Sequence, residues 1–308
     1  TISEKFRLDF VLVSVAWLLV GGPCPPSQPP RRRLPERNEE LTMIDFLAMF
    51  PLAVIPAFML LALVHEARRY DKPRWWKTRM TLVTVAVVAG SMAVAGFWGT
   101  VLGDFHLLDF GHLGTWAGAG FGIVVYEFVH YWYHRVAHRY DTLWRLAHQM
   151  HHSAEAMDAF SANYLSPADL VLFTTWSSLV FFPLLGLTVE AGVVAGAWLG
   201  FNAMFQHANV RTPYWLGYLI QRPESHVVHH ERGRHRYNYA NLPLWDMAFG
   251  TFRNPRSVDG VAAGFYTGAS TRILDMLLCR DVSRPAQAET GCAEPAVTGD
   301  EQRLDRAA

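Results

Sequence analysis

Two long apolar runs, residues 44–64 (IDFLAMFPLAVIPAFMLLALV) and 81–102 (TLVTVAVVAGSMAVAGFWGTVL), constrain this chain more than any other feature of it. Each has the roughly 20 residues that an α-helix needs to cross the hydrocarbon of a bilayer. A third run, 114–133, leads straight into His134. The stretch from Leu170 to Phe205 is apolar for long enough to make a helical hairpin, with a break near Gly186 to Glu190. The expected fold is therefore all-α, an integral membrane bundle of about four to five spanning or half-spanning helices. Composition agrees with the lipid bilayer as surroundings and argues against nucleic acid as a partner, because a 51% hydrophobic chain of formal net charge +0 has no basic excess to offer phosphates.

Orientation follows from the loops. Arg68, Arg69, Lys72, Arg74, Lys77 and Arg79 lie around the first connection, whereas the next, Gly103 to Gly114, has no lysine or arginine. The positive-inside rule puts the first connection in the cytoplasm. The third run then returns to the cytoplasm at His134, and the hairpin dips out and comes back at His207. All the histidine clusters thus fall on one membrane face, as a cytoplasmic histidine-bearing cap.

Nine of the 14 histidines are gathered as His134-x3-His138, His148-x2-His151-His152, a lone His207, and His226-x2-His229-His230. Residues three or four apart share a helix face, so each cluster can aim its imidazoles one way. Neutral imidazole is a good ligand for iron, zinc or copper. A single zinc normally takes only four ligands, so nine suggest two metal ions. A zinc protease would want H-E-x-x-H, which His230-Glu231-Arg-Gly-Arg234 misses. A soluble di-iron carboxylate bundle wants two Glu-x-x-His motifs, and Glu127-x2-His130 is the single one present. A metal transporter, the non-enzyme alternative, would string its ligands along a path at mid-membrane depth.

Flanking residues extend the pattern. Tyr131-Trp-Tyr-His134-Arg-Val-Ala-His138, Leu143-Trp-Arg-Leu-Ala-His148-Gln-Met-His151-His152-Ser153, and Pro223-Glu-Ser-His226-Val-Val-His229-His230 followed by Asn238-Tyr239, Trp245-Asp246 and Phe249-Gly250-Thr251 resemble the fatty acid hydroxylase/sterol desaturase superfamily over about Met43 to Pro255. The resemblance implies an oxidoreductase of the membrane whose two iron ions, held by His134, His138, His148, His151, His152, His207, His226, His229 and His230, use O2 to hydroxylate a lipid acyl chain or sterol-like ring. Desaturation of a lipid or sterol is the alternative reaction. One departure stands out: where the family often has a basic or histidine-containing stretch after the second cluster, this chain has Asn163-Tyr-Leu-Ser-Pro167. The chain shows no G-x-G-x-x-G fingerprint and no iron–sulfur cysteine cluster. Electrons are therefore expected from a separate donor, a ferredoxin or cytochrome with its reductase. The expected setting is a bacterial inner membrane, with the site facing the cytoplasm.

Two carboxylates are candidate catalytic-site residues. Glu127 lies with His130 on the face of His134, near membrane depth, where an ionisable group needs a functional or pairing reason; a polar pair satisfied inside the bundle is the other reading. Asp246 is placed to orient an imidazole N–H, or else to cap a helix or turn. Asn238 is treated alike. His235 reads as a loop histidine, and His65, His106 and His112 as interfacial. Residues 1–42, with a short apolar run and a Pro/Arg-rich stretch, read as an N-terminal extension and linker, Met43 being a candidate natural start; 43–282 form the membrane-embedded domain, and 283–308 a disordered tail. Cys24, Cys279 and Cys292 have no metal or disulfide spacing.

Overall fold

The apolar runs become helices, and the breaks between them become the two ends of a bundle. The computed structural model describes residues 37–103 and 105–285. The first run lies in α1 (Arg37–Val64) and the second in α2 (Trp76–Leu102). Helix α3 (Gly114–Arg139) ends on His134 and His138. A short helix, Asp141–Leu143, passes through a π-helical turn, Trp144–His148, into α4 (Gln149–His152). Next come α5 (Pro167–Leu179), prolonged by the π-helical turn Val180–Leu184, and α6 (Val189–His207). The cap is completed by α7 (Pro223–His229), α8 (Pro243–Ala248) and α9 (Ile273–Leu277). Among the described residues there is no strand, and one isolated bridge joins Glu231 to Ala263.

Local chemistry explains the hairpin arms. Ser166 accepts the Asp169 N–H at 3.1 Å, and Pro167 starts the helix where its missing N–H costs nothing. Thr188 caps α6 in the same way, through Ala191 N–H at 3.2 Å. Between the arms Gly186 has φ 60°, and a Cβ there would lie 2.2 Å from Leu108 O, so only glycine fits the predicted break.

Among the described residues, three helical segments are long and apolar enough to cross a membrane: Phe46–Val64, Trp76–Leu102 and Pro167–Leu184. Their outward faces carry large uncovered apolar side chains such as Phe46, Leu60, Leu82 and Val85, as hydrocarbon surroundings require. Helices α3 and α6 pack on each other, and α6 also packs on α1. Both fall short of the same apolarity because they carry buried polar residues toward the cap, Glu127 and His130 on one and Asn202 and Gln206 on the other. They take the place of the half-spanning members of the expected bundle.

The two ends differ. At one, the connection after α1 folds onto the cap: Ala67 N–H donates to Asn209 O (3.0 Å), and buried Arg68 pairs with Glu224 (2.9 Å). Lys72 joins it through Asp158 at 3.0 Å. At the other end, Leu107, Leu108 and Phe110 donate backbone N–H groups to Pro183, Leu184 and Leu185. The arginine-rich connection and the histidines therefore share one end. Helix α1 starts at Arg37, so residues 37–42, read as linker, continue the first helix. The Phe10 to Val20 run, Cys24, Cys292 and the tail from 286 lie outside the described residues; Cys279 is exposed.

Candidate metal centre

Each helix end delivers its histidines to one place. The last turn of α3 supplies His134 and His138, the π-helical turn and α4 supply His148, His151 and His152, α6 ends on His207, and α7 brings His226, His229 and then His230. All nine are buried. They separate into two groups, His134, His138, His148, His152 and His229 in one, and His151, His207, His226 and His230 in the other. Within each group the ligand nitrogens lie within 4.8 Å of one another. The groups touch: the His152 and His230 rings stack at 4.1 Å between centroids, and those of His226 and His229 at 5.3 Å.

Hydrogen bonding tests whether these nitrogens suit a metal. His134 Nδ1 donates to Tyr239 O at 2.6 Å and His148 Nδ1 to Asp169 Oδ2 at 2.8 Å. Both partners accept, so the proton of each neutral ring sits on Nδ1 and Nε2 is bare. Yet the two Nε2 atoms are 2.8 Å apart. Two lone pairs cannot hydrogen-bond, and a cation between them removes the conflict. At a metal–imidazole bond of about 2.0–2.1 Å, ligand nitrogens roughly 2.8–3.2 Å apart subtend about 85–100°, an ordinary coordination angle. The second group has the same spacing, His226 Nε2 lying 3.0 Å from His207 Nε2 and 3.2 Å from His230 Nε2. His229 donates its Nδ1–H to Tyr237 O, and its Nε2 is buried with no hydrogen-bond partner, the state of a ligand atom waiting for its ion.

Burial first, and then the neighbouring imidazoles, hold His151, His152, His226, His229 and His230 well below the usual histidine value. Neutral imidazole is the form that binds a cation.

The flanking residues aim the rings. Asp169 is fully buried; besides His148 it accepts the Tyr133 hydroxyl at 2.8 Å, the carboxylate–histidine arrangement that fixes a ligand's tautomer and raises its basicity. It lies just past Asn163–Pro167, and proximity in sequence alone does not reveal it. Loop 235–242 does the rest. Tyr237 O accepts His229 Nδ1–H at 2.7 Å, and Tyr239 O accepts that of His134. Asp246 accepts from Tyr239 N, Ala240 N and Thr251 Oγ1 at 2.7–2.8 Å, and Glu127 accepts from Asn241 N and Nδ2 at 2.8 Å. Both carboxylates thus hold the loop that holds the histidines, and neither bonds one of the nine directly. Asp246 is the cap of its turn, its pKa pushed up to about 6 by burial. Glu127 meets His130 at 3.6 Å, and His130 stacks on His134. Asn238 ties the loop down through Ser225 O and the Arg253 backbone. His235, read as a loop histidine, is instead buried, its Nδ1 3.1 Å from that of His152. His65, His106 and His112 are exposed.

A cavity of about 260 Å³ opens onto both groups, bounded by His134, His148, His151, His207 and His226 on one side and by Phe173, Leu199 and Ala203 on the other. Metal ligands strung along a mid-membrane path are not what the fold presents, since all nine meet at the cap end.

Residues 119–251, which contain all nine histidines, match the model of the fatty acid hydroxylase family. This region is similar to that family. Human alkylglycerol monooxygenase is 37% identical over 147 residues, 45% of this chain and 30% of that protein. Ornithine lipid hydroxylase OlsE of Rhizobium tropici is 32% identical over 139 residues, 44% of this chain and 41% of its own length. Very-long-chain aldehyde decarbonylase GL1-5 of Oryza sativa subsp. indica is 26% identical over 206 residues, 60% and 30% of the two. The chain spans about a third of the length of the alkylglycerol monooxygenases it matches. No solved structure matches it.

Proposed function

We propose that this fatty acid hydroxylase domain is an O2-dependent di-iron hydroxylase of a membrane lipid. The observation that carries the reading is the pairing of two contiguous groups of buried, neutral imidazoles, five and four in number, at a cavity that Phe173, Leu199 and Ala203 bound on its other side. Two irons held there would supply what no side chain can, the activation of O2 against an unactivated C–H bond. The first group would be held by His134, His138, His148, His152 and His229, and the second by His151, His207, His226 and His230.

The rest is the work of the chain's own residues. Asp169 and the Tyr237 and Tyr239 carbonyls orient rings; Glu127 and Asp246 keep those carbonyls in place; Phe173 and Leu199 exclude water from the cavity and let an aliphatic group approach. The cavity lies where the bundle meets the cap, so a lipid can reach it from the bilayer while a separate ferredoxin or cytochrome delivers electrons from the aqueous side, the cytoplasm of a bacterial inner membrane. Two relatives named for hydroxylation and monooxygenation favour hydroxylase over desaturase.

Product analysis of lipid extracts under ¹⁸O2, from cells with and without the chain, tests this reading. One labelled oxygen atom in a lipid present only with the chain is expected. An unlabelled product with a new double bond would replace hydroxylase by desaturase, and turnover without O2 would overturn the oxygenase.

A further inference from the structure

A second cavity, about 380 Å³, lies at the opposite end of the bundle between α2 and the end of the α5 arm, lined chiefly by Ala95, Gly96, Trp98, Gly99, Phe182 and Pro183. Its lining lies further along the same two helices, α2 and α5, than that of the first cavity. Ser91, Thr174 and Ser177 line the first cavity, and the next residues along the same two helices, Ala95 and Ser178, line the second. Between them Trp98 Nε1–H donates to Thr175 Oγ1 (2.9 Å) and Thr174 Oγ1–H to Ser91 Oγ (3.2 Å), so the polar atoms of the seam are satisfied by one another. At Gly96 and Gly99 an added Cβ would meet nothing within 4 Å. Both positions therefore face open space.

We infer that this far cavity holds the terminal carbons of the substrate's aliphatic chain, and that the α2–α5 seam measures its length. From Asp169, bonded to His148, to Pro183 is fourteen residues, about 21 Å at 1.5 Å per residue. An extended alkyl chain with C–C bonds of about 1.5 Å advances roughly 1.25 Å per carbon, so the seam takes about sixteen carbons. A chain whose tip is 21 Å from the histidines has its oxidised carbon near its polar end. The amides of Asn163, Gln206 and Gln221, which face the first cavity, suit that end. The substrate class is therefore a lipid with a linear chain of about sixteen carbons, oxidised next to its headgroup; bulk bilayer lipid is the competing occupant. This rests on the hydroxylase reading.

The test uses the full chain in nanodiscs, with 1-O-alkylglycerols of ten to eighteen carbons as substrates and a hexadecyl probe carrying a diazirine at its chain end. Leucine at Gly96 or Gly99 has room for its Cβ and favours a helix, so Gly96→Leu and Gly99→Leu should fold. Each methylene excluded from an apolar site costs about fourfold. Displacing about three should lower kcat/KM for the sixteen-carbon substrate some fiftyfold and leave the ten-carbon one unchanged. The diazirine should mark residues 95–103 or 182–189, compete with unlabelled hexadecylglycerol but not with excess phospholipid, and lose that site in Gly99→Leu. Normal turnover with an unaltered chain-length profile and labelling elsewhere would overturn the ruler and leave the hydroxylase reading standing. Labelling that phospholipid displaces equally would assign the cavity to bulk lipid and also overturn it. Labelling in the far cavity with no oxidation of any chain length would keep the chain site and remove the hydroxylase reading.

Discussion

Replacing Asp169 by Asn isolates what a buried carboxylate does for a ligand it does not share with the metal. Asp169 has no exposed surface; it accepts His148 Nδ1–H and the Tyr133 hydroxyl, each at 2.8 Å. Asn has nearly the same shape. Its oxygen can still accept from His148 while its amide donates to a turned Tyr133 hydroxyl, so both groups stay bonded and the fold should lose little. What disappears is the negative charge behind the imidazole, and loss of such a partner typically costs 10–100-fold in metal affinity or activity, equivalent to about 1.4–2.7 kcal/mol. Asp169→Ala, by contrast, strands two buried donors at about 1–3 kcal/mol each and should lower the melting temperature as well. The assay is a competitive chelator titration with Fe(II) or Co(II) in detergent, run beside thermal unfolding. Ser166→Ala is the control: it removes the α5 cap, about 1 kcal/mol of stability, and should leave metal affinity within about threefold. If Asp169→Asn bound metal as tightly as the native protein and turned over at the native rate, the orienting role would be refuted.

Purified under reducing conditions the protein should hold about two irons per chain, and a value close to one after iron supplementation would refute the two-group assignment. His207→Ala should reduce turnover at least 100-fold and lower metal content, whereas His65→Ala and His112→Ala, both exposed, should change neither; full activity in His207→Ala would remove it from the ligand set. In the metal-free protein His151, His152, His226, His229 and His230 have folded values below the unfolded 6.5, so the native state binds fewer protons, and their stabilisation is fully present above about pH 6.5 and lost as pH falls from there. Asp246, raised to about 6, works in the opposite sense between about pH 4 and 6, but one carboxylate does not offset several imidazoles; a melting temperature that stayed level from pH 8 to 5 would contradict this. Cysteine labelling should find positions 72 and 230 on one membrane side and 109 on the other; labelling of 72 and 230 from opposite sides would dismantle the site.

The parts of this site that could be read from residue order are those in which chemistry and spacing are local. The i, i+3 and i, i+4 histidines face one way on any helix, and the apolar runs and Gly186 mark where helices start and turn, so the nine candidates and the hairpin were legible. Asp169 was not, because a carboxylate 17 residues after His152 has no spacing rule linking it to His148; only the return of α5 along α3 brings it there. The two tyrosine carbonyls were hidden for a different reason: every residue has one. Asp246 and His235 were visible as residues but not in their surroundings, since burial of the 235–246 region depends on Glu127 reaching it from α3. The start of α1 at Arg37 escaped because Arg37 to Glu40 look like linker by charge, whereas a helix entering a membrane tolerates polar residues in its first turns.

Loop 235–242 shows how the distant parts depend on one another. His235, Tyr237 and Asn238 have φ of 45°, 72° and 49°, three left-handed residues in four positions and none of them glycine. Asn tolerates that region, but for His and Tyr each such conformation costs of order 1–3 kcal/mol and persists only where surrounding contacts over-determine it. Those contacts are present: Glu127 and Asp246 each accept backbone N–H groups of the loop, and Asn238 is bonded on both sides of its amide. Hydrogen bonds to a charged acceptor are worth about 1.5–3 kcal/mol each, enough together to hold the strain. The result is a turn that aims successive odd-numbered carbonyls, Tyr237 and Tyr239, at His229 and His134, two rings of one group carried by different helices. The conformation is thus a device for setting two imidazoles from a single backbone segment. Glu127→Gln or Asp246→Asn should accordingly disturb His134 more than His151, whose ring packs on His207 and His230 rather than on this loop.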